Sequence, residues 1–226
     1  MGLVYKAVMR PTCPRCTRPQ ITCICRWITP TPHQVEVLLL QHPLEVNHAK
    51  GSARLLHLSL SVSGSRLVVG EQFDPATLQA LLFAPLLPHS EPRTPVLLYP
   101  ETPDYPATTL AAERLTTPET LRLIVLDGTW RKSRKMLHLN PALQQLPRVA
   151  LSPAAASRYR IRRAQRPEQL STLEATVAAL NQMERTSARF EPLLSAFDGF
   201  VAQQLAVAVR GAGICAETSA DPMNVN

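Results

Sequence analysis

Short apolar runs alternate along this chain with stretches of helical spacing. Residues 35–41 (VEVLLLQ) are nearly all apolar at their centre, the pattern of a strand buried on both faces of a parallel sheet, and His42-Pro43 ends the run. Residues 66–69, 95–100 (PVLLYP) and 121–126 (LRLIVL) read as further strands, and 149–151 as a short fifth. Residues 50–60 predict a helix with Ala53, Leu56 and Leu60 on its apolar side. Asp74-Pro75 reads as an N-cap followed by proline at the first helical position, opening a helix through residue 82. A basic helix is predicted over 130–139, stopped by Asn140-Pro141. Ser171 or Thr172 can cap a helix that reaches residue 183, and Glu174 sits three positions after Ser171 as a capping box requires. Residues 191–209 supply the last long helix. Strands alternating with helices predict an α/β domain with a mostly parallel sheet and flanking helices.

Punctuation divides the chain into a small N-terminal knuckle over 1–32, ended by Pro30 and Pro32, the α/β domain over 33–210, and a tail over 211–226 expected to be disordered. No Gly-x-Gly-x-x-Gly follows any strand, and the chain has only 8 glycines. Neither a conventional dinucleotide loop nor a Walker A loop is therefore expected, and a nucleoside ligand needs another loop system. At 226 residues and 45% hydrophobic content the chain can bury a real core. No apolar run approaches the roughly 20 residues that cross a bilayer, so no membrane role is expected. Met1-Gly2-Leu3-Val4-Tyr5-Lys6 lacks the charged-then-apolar layout of a secretory signal, and a cytoplasmic protein is the expectation. A monomer is favoured over an oligomer.

Charge sharpens the picture. The formal net charge is +7, and 15 of the 24 Lys and Arg residues fall in two stretches, 1–35 and 128–167, that hold no Asp or Glu. A solvated basic face explains this blandly. A single-sign field of this extent also suits a polyanion, because cations that neutralise phosphates release condensed counterions. A membrane surface fits less well, since the cations do not oppose one clean apolar stripe.

Four of the five cysteines, Cys13, Cys16, Cys23 and Cys25, fall within thirteen positions as Cys-x2-Cys, six residues, Cys-x-Cys. In a reducing compartment, four thiols this close suit one tetrahedral zinc. With four thiolates the site is closed, which makes the expected Zn2+ structural rather than catalytic.

The sharpest local signal is Asp127-Gly128-Thr129-Trp130-Arg131-Lys132, where a buried strand ends and a basic helix begins. Ligands of open α/β sheets bind outside the carboxyl ends of strands. On position alone a plain helix cap for Asp127 and core packing for Trp130 serve equally well. Asp127-x-Thr129-Trp130 resembles the signature of the DTW-domain family, and other elements agree in the same order. The cysteine knuckle resembles that family's zinc motif. His42-Pro43-x-Glu45, Asn47-His48 and Gly51-Ser52-Ala53-Arg54-Leu55 resemble its first loop, Leu98-Tyr99-Pro100 its second, and Ser171-Thr172-Leu173-Glu174-Ala175 its last. The likeness covers roughly residues 11–205, with Ser52 where threonine is more usual.

The resemblance implies an α/β fold related to SPOUT-type methyltransferases, with a knotted chain path as a further expectation. It also implies a tRNA-uridine aminocarboxypropyltransferase that uses S-adenosylmethionine as co-substrate, with the variable loop of tRNA as the place of action. Attack at any of the three carbons on the sulfonium expels a thioether, so cofactor pose decides which group moves. By the resemblance, Asp127, Thr129 and Trp130 are catalytic, while Leu98, Tyr99, Pro100, Ser171, Thr172 and Glu174 bind the cofactor. A simple helix start competes for the last three. His42, Glu45, Arg131, Lys132, Arg134, Arg158, Arg160, Arg162 and Arg163 are candidates for holding RNA. Asp127 is the candidate base for uridine N3, although an ordinary Asp pKa of about 3.9 is too low for that task without help from burial. Two rivals stay open: a SPOUT-type RNA methyltransferase, and a non-catalytic zinc-knuckle RNA-binding protein.

Overall fold

Five parallel strands form one sheet in the order β2-β1-β4-β3-β5. They are β1 (Glu36–Gln41), β2 (Ser65–Val69), β3 (Thr94–Leu98), β4 (Leu121–Asp127) and β5 (Arg148–Val149). The helices are α1 (Ala53–Leu60), α2 (Pro75–Phe83), α3 (Trp130–Leu139), α4 (Pro141–Gln144), α5 (Thr172–Met183) and α6 (Glu191–Glu217). This computed structural model describes residues 11–49, 51–60, 64–86, 90–100, 117–151, 170–186 and 188–217.

β1 and β4 are buried at every position because both faces of the sheet are covered. Alternation sends Val37, Leu39, Leu123 and Val125 to one face, against Leu55 and Leu56 of α1, Val177 of α5 and Phe197 of α6. Leu38, Leu40, Ile124 and Leu126 go to the other, against Leu81 of α2, Met136 of α3 and Leu143 of α4. Each such buried leucine contributes about 1.5–3 kcal/mol, so the β1–β4 pair is the most strongly held part of the sheet. β1 leads through α1 to β2 on one side, whereas β4 leads to β5 on the other. The carboxyl ends of β1 and β4 therefore flank a topological switch point, the usual seat of a ligand in such sheets.

The predicted strands and helices are present with adjusted ends. α1 begins at Ala53 rather than at residue 50, and β3 stops at Leu98, leaving Tyr99 and Pro100 just beyond it. Asn140 ends α3, but Pro141 then opens α4, since proline suits a first helical turn. α6 runs on to Glu217, past residue 211, and residues 218–226 of the expected tail lie outside the described residues. A knot can be judged only from a path through 101–116 and 152–169, which lie outside the described residues. Among those described, no helix is long and apolar enough to cross a membrane.

The cysteine knuckle is built into this core. Cys13, Cys16 and Ile24 belong to the same apolar cluster as α1, α5 and α6. Trp27 lies so close to Gly199 of α6 that a Cβ there would stand 2.2 Å from the indole ring, so only glycine admits the contact. The Trp27 indole N–H donates to Gln203 Oε1 at 2.5 Å, and Gln203 Nε2 donates back to the Cys23 carbonyl at 3.2 Å.

Candidate active site

Gln41 and Asp127 are partners at the last rung of the β1–β4 ladder, so the sheet itself sets them side by side at the switch point. The Gln41 amide donates to Asp127 Oδ2 at 2.7 Å. Thr172, first residue of α5, donates its hydroxyl to Asp127 Oδ1 at 2.5 Å. Asp127 is 5% exposed, and among the described residues it forms no ion pair. Burial pushes its carboxyl above the ordinary range, against the pull of the Thr172 and Gln41 hydrogen bonds. The negative charge of Glu45 adds to the rise and His48 opposes it. Asp127 is thus a carboxylate with neutral donors on both oxygens and a raised proton affinity. The plain helix-cap reading does not hold, since α3 has Thr129 at its N-cap and that side chain makes no capping bond.

Trp130 is not core. It is 52% exposed and lies flat on Tyr99, with ring centroids 5.1 Å apart and planes 13° from parallel. Beneath, the Arg148 guanidinium lies 5.5 Å from the Tyr99 ring centroid and donates to the Pro100 carbonyl at 3.1 Å. Arginine, tyrosine and tryptophan form a pile with the indole outermost, a platform on which a nucleobase can stack.

Around this lies a ring of paired charges. The backbone N–H of His42 donates to the Asp127 carbonyl at 2.9 Å, extending the ladder by one bond. His42 Nδ1 accepts from Leu44 N–H at 3.1 Å, which leaves the proton on Nε2 for Glu71 Oε1 at 2.9 Å. Lys135 joins Glu71 at 3.0 Å, and Lys132 holds Glu45 at 2.6 Å. The His42 and Lys135 partners keep the Glu71 carboxyl below its usual value. Arg131 and Arg134 are exposed on the same helix. Arg158, Arg160, Arg162 and Arg163 lie outside the described residues.

Ser171 and Glu174 close the start of α5 on each other: Glu174 Oε2 accepts from the Ser171 N–H at 2.8 Å and hydroxyl at 2.6 Å, and the Ser171 oxygen accepts from Glu174 N–H at 3.3 Å. This is the predicted capping box. Of the three polar residues in this motif, Thr172 is the one that bonds Asp127. Leu98 is packed against the core beneath the Tyr99 turn.

The four knuckle sulfurs all lie within 4.8 Å of one another, with Cys13 and Cys25 at 3.5 Å and Cys16 and Cys23 at 3.8 Å. Zn–S bonds near 2.3 Å in a tetrahedron give sulfur–sulfur edges of about 3.8 Å, so this set fits one zinc. Backbone N–H groups of Cys16 and Arg15 lower the Cys13 thiol to about 6, while burial and the neighbouring Cys13 thiol push Cys25 up to about 12. The four cannot all ionise in so small a volume without a cation.

Residues 10–205 match the model of the DTW domain. The chain belongs to the DTW-domain family. Among curated relatives of this DTW-domain chain is tRNA-uridine aminocarboxypropyltransferase 2 of Macaca fascicularis, 27% identical over 211 residues, which are 89% of this chain and 66% of that protein. The enzyme of the same name from Drosophila melanogaster is 30% identical over 181 residues, 77% of this chain and 67% of that one. tRNA-uridine aminocarboxypropyltransferase A of Arabidopsis thaliana is 28% identical over 142 residues, 57% and 50% of the two chains. The chain thus spans about two thirds of the length of these animal relatives and half that of the plant one. No solved structure matches it.

Sequence reasoning missed Gln41 and Glu71 in the DTW-domain site and placed Lys135 and Arg148 only within the basic stretch over 128–167. Gln41 carried a usable signal, a polar residue closing an apolar run at a strand's carboxyl end. Glu71 and Arg148 are joined to the site by tertiary contacts across 29 or more positions.

Proposed function

We propose that this chain transfers the 3-amino-3-carboxypropyl group of S-adenosylmethionine to N3 of a uridine in tRNA, releasing methylthioadenosine. The observation that carries this reading is Asp127, a buried carboxylate with no cation partner among the described residues, at the switch point of a DTW-domain sheet beside an exposed indole. The names of the relatives support the reaction class.

In the step itself, uridine N3 bonds to the γ-carbon of the methionine arm while the bond from that carbon to sulfur breaks. The sulfonium leaves as a neutral thioether, and the N3 proton departs. Asp127 takes this proton. Its raised affinity brings it closer to a weak acid such as N3–H, in keeping with Brønsted matching. Thr172 and Gln41 hold the two oxygens in fixed directions and leave each a second lone pair for the substrate. Trp130 stacks on a base that has left its helical stack, which offsets the few kcal/mol that unstacking costs. Arg131 and Arg134 on α3, with Arg158, Arg160, Arg162 and Arg163, meet the phosphates, while the Lys132–Glu45 and Lys135–Glu71 pairs fix the rim. The four cysteines hold one structural zinc. The SPOUT relation and a cytoplasmic place of work belong to the same reading.

Incubation of purified chain with tRNA and the sulfonium donor tests it directly. The expected products are aminocarboxypropyluridine and methylthioadenosine, both lost in Asp127→Asn. S-adenosylhomocysteine in place of methylthioadenosine would make it a methyltransferase, and tRNA binding without any turnover would make it a binding protein.

A further inference from the structure

The loop between Cys16 and Cys23 sends one side chain out of the knuckle. Arg18 lays its guanidinium 5.1 Å from the ring centroid of Phe200 on α6 and donates to the carbonyls of Ala49 at 2.8 Å, Gly51 at 2.8 Å and His48 at 3.4 Å. The base of this arginine is fixed by the knuckle's own backbone. Thr17 N–H donates to the Cys13 carbonyl and Cys13 N–H to the Arg18 carbonyl, both at 2.8 Å, around a left-handed Thr17 with φ of 59°. Those bonds and the four sulfurs define one small rigid body, so Arg18 starts from a fixed point only while the cysteines are held together.

What Arg18 grips leads to the site. Turn bonds tie the described residues here together, with His48 N–H on the Glu45 carbonyl at 3.1 Å and Gly51 N–H on the His48 carbonyl at 2.9 Å. A Cβ at Gly51 would stand 3.1 Å from the His48 oxygen, so the turn has no slack. The next residue, buried Ser52, accepts the Leu173 N–H at 3.2 Å through its hydroxyl. Leu173 follows Thr172, whose hydroxyl holds Asp127. Three carbonyls converging on one guanidinium, which is itself stacked on an aromatic ring, are a task for the arginine fork rather than for a point charge.

We propose that Arg18 is a positioning residue that clamps the 48–51 loop to the metal knuckle and so, through Ser52 and Leu173, fixes the start of α5 and its Thr172 against Asp127. The knuckle is then part of the active-site frame as well as a brace for α6. This inference rests on the assignment of Asp127 and Thr172 to the site, while its structural half can be measured without any reaction.

The experiment is amide hydrogen exchange on the zinc-loaded full chain, with zinc content and transfer rate read on the same samples. Arg18→Ala should retain one zinc per chain, lose protection over 48–52 and over 171–174, and keep it over 121–126. Transfer should fall about tenfold or more, as small misplacements at a reacting centre do. Millimolar guanidinium should restore part of that loss where methylammonium does not. Ser52→Ala, which removes only the last link, should expose 171–174 and leave 48–51 protected. Unchanged exchange in both segments of Arg18→Ala overturns the clamp, as does loss of zinc with the arginine. If Arg18→Ala does not fold, Ser52→Ala decides: protection retained at 171–174 overturns the link. Full transfer by Asp127→Asn would instead remove the proposed role of Asp127 as base and leave the exchange result standing.

Discussion

The two ends of the β1–β4 ladder treat a buried carboxylate in opposite ways. At the first rung Glu36 faces Arg122, and at the last Gln41 faces Asp127. Arg122 is fully buried, and its Nε and Nη2 donate to Glu36 Oε2 at 2.9 and 2.7 Å. The same guanidinium donates to the carbonyls of Leu81, Leu82 and Ala84, each at 2.8 Å, and so closes the C-terminus of α2. Asp127 at the other end has an amide and a hydroxyl and, among the described residues, no cation. The Glu36 carboxylate is locked to a guanidinium. A carboxylate held by neutral donors in a dry site can take a proton and give it up. The same ladder therefore carries a structural carboxylate at one end and, in the function proposed above, a chemical one at the other.

The largest effects should separate the two ends cleanly. Asp127→Asn removes the proton acceptor and should slow transfer by roughly 10²–10⁴-fold, the range for loss of a general base, measured as nucleoside formed per chain. Its folding stability at pH 7 should be unchanged or higher, because an uncompensated buried charge has gone. Arg122→Ala should do the reverse. It leaves Glu36 with Arg93 alone, 3.4 Å from Oε1, and strands three helix carbonyls, costing about 1–3 kcal/mol for each group left unpaired in denaturant unfolding, with the chemistry intact in the molecules that fold. If Asp127→Asn unfolded the chain while Arg122→Ala left it stable, the assignment of the two ends would be inverted.

The pH dependence has a definite sign. The Asp127 carboxyl titrates above its unfolded value, so between the two the folded chain binds more protons than the unfolded one. Its contribution to stability is therefore lost as pH rises through that window and is constant above it. Asp127→Asn lacks this loss, so its advantage over the parent should grow from acid towards neutral pH in thermal melts and then level off.

Much of this contrast was legible in the chain, and the illegible part has a physical reason. The apolar run of β1 and LRLIVL of β4 required a two-faced parallel sheet, and Asp127 at the end of one offered either a candidate site or a plain helix cap. The capping box at Ser171 and Glu174 could be read because it is local. Ladder register is not local. Nothing in VEVLLLQ says that its glutamate will meet an arginine 86 positions away, nor that its glutamine will meet the aspartate. Trp130 was ambiguous for the same reason, since its exposure depends on Tyr99 arriving from β3.

A middle-sized effect tests what stands beside the chemical end. Trp130→Ala should cost about 1–3 kcal/mol of substrate binding, the worth of one aromatic–base stack, seen as a raised KM for tRNA. Trp130→Phe should recover most of it, because the stack on Tyr99 needs a ring rather than an indole N–H. Equal loss in both variants would mean that the indole does something other than stack.

The smallest effect is the most specific. Gln41→Met keeps the volume at the last rung and removes the donor on Asp127 Oδ2. That hydrogen bond favours the ionised carboxylate and holds its proton affinity down, so losing it should raise an already elevated value. A base must be ionised to act, so the acid limb of the kcat–pH profile should move to higher pH, by about one unit if the bond is worth about 1.4 kcal/mol. The plateau rate should change little. A lowered plateau with the limb in place would show that Gln41 orients the carboxylate without tuning it, and that the neutral amide opposite Asp127 matters for geometry alone.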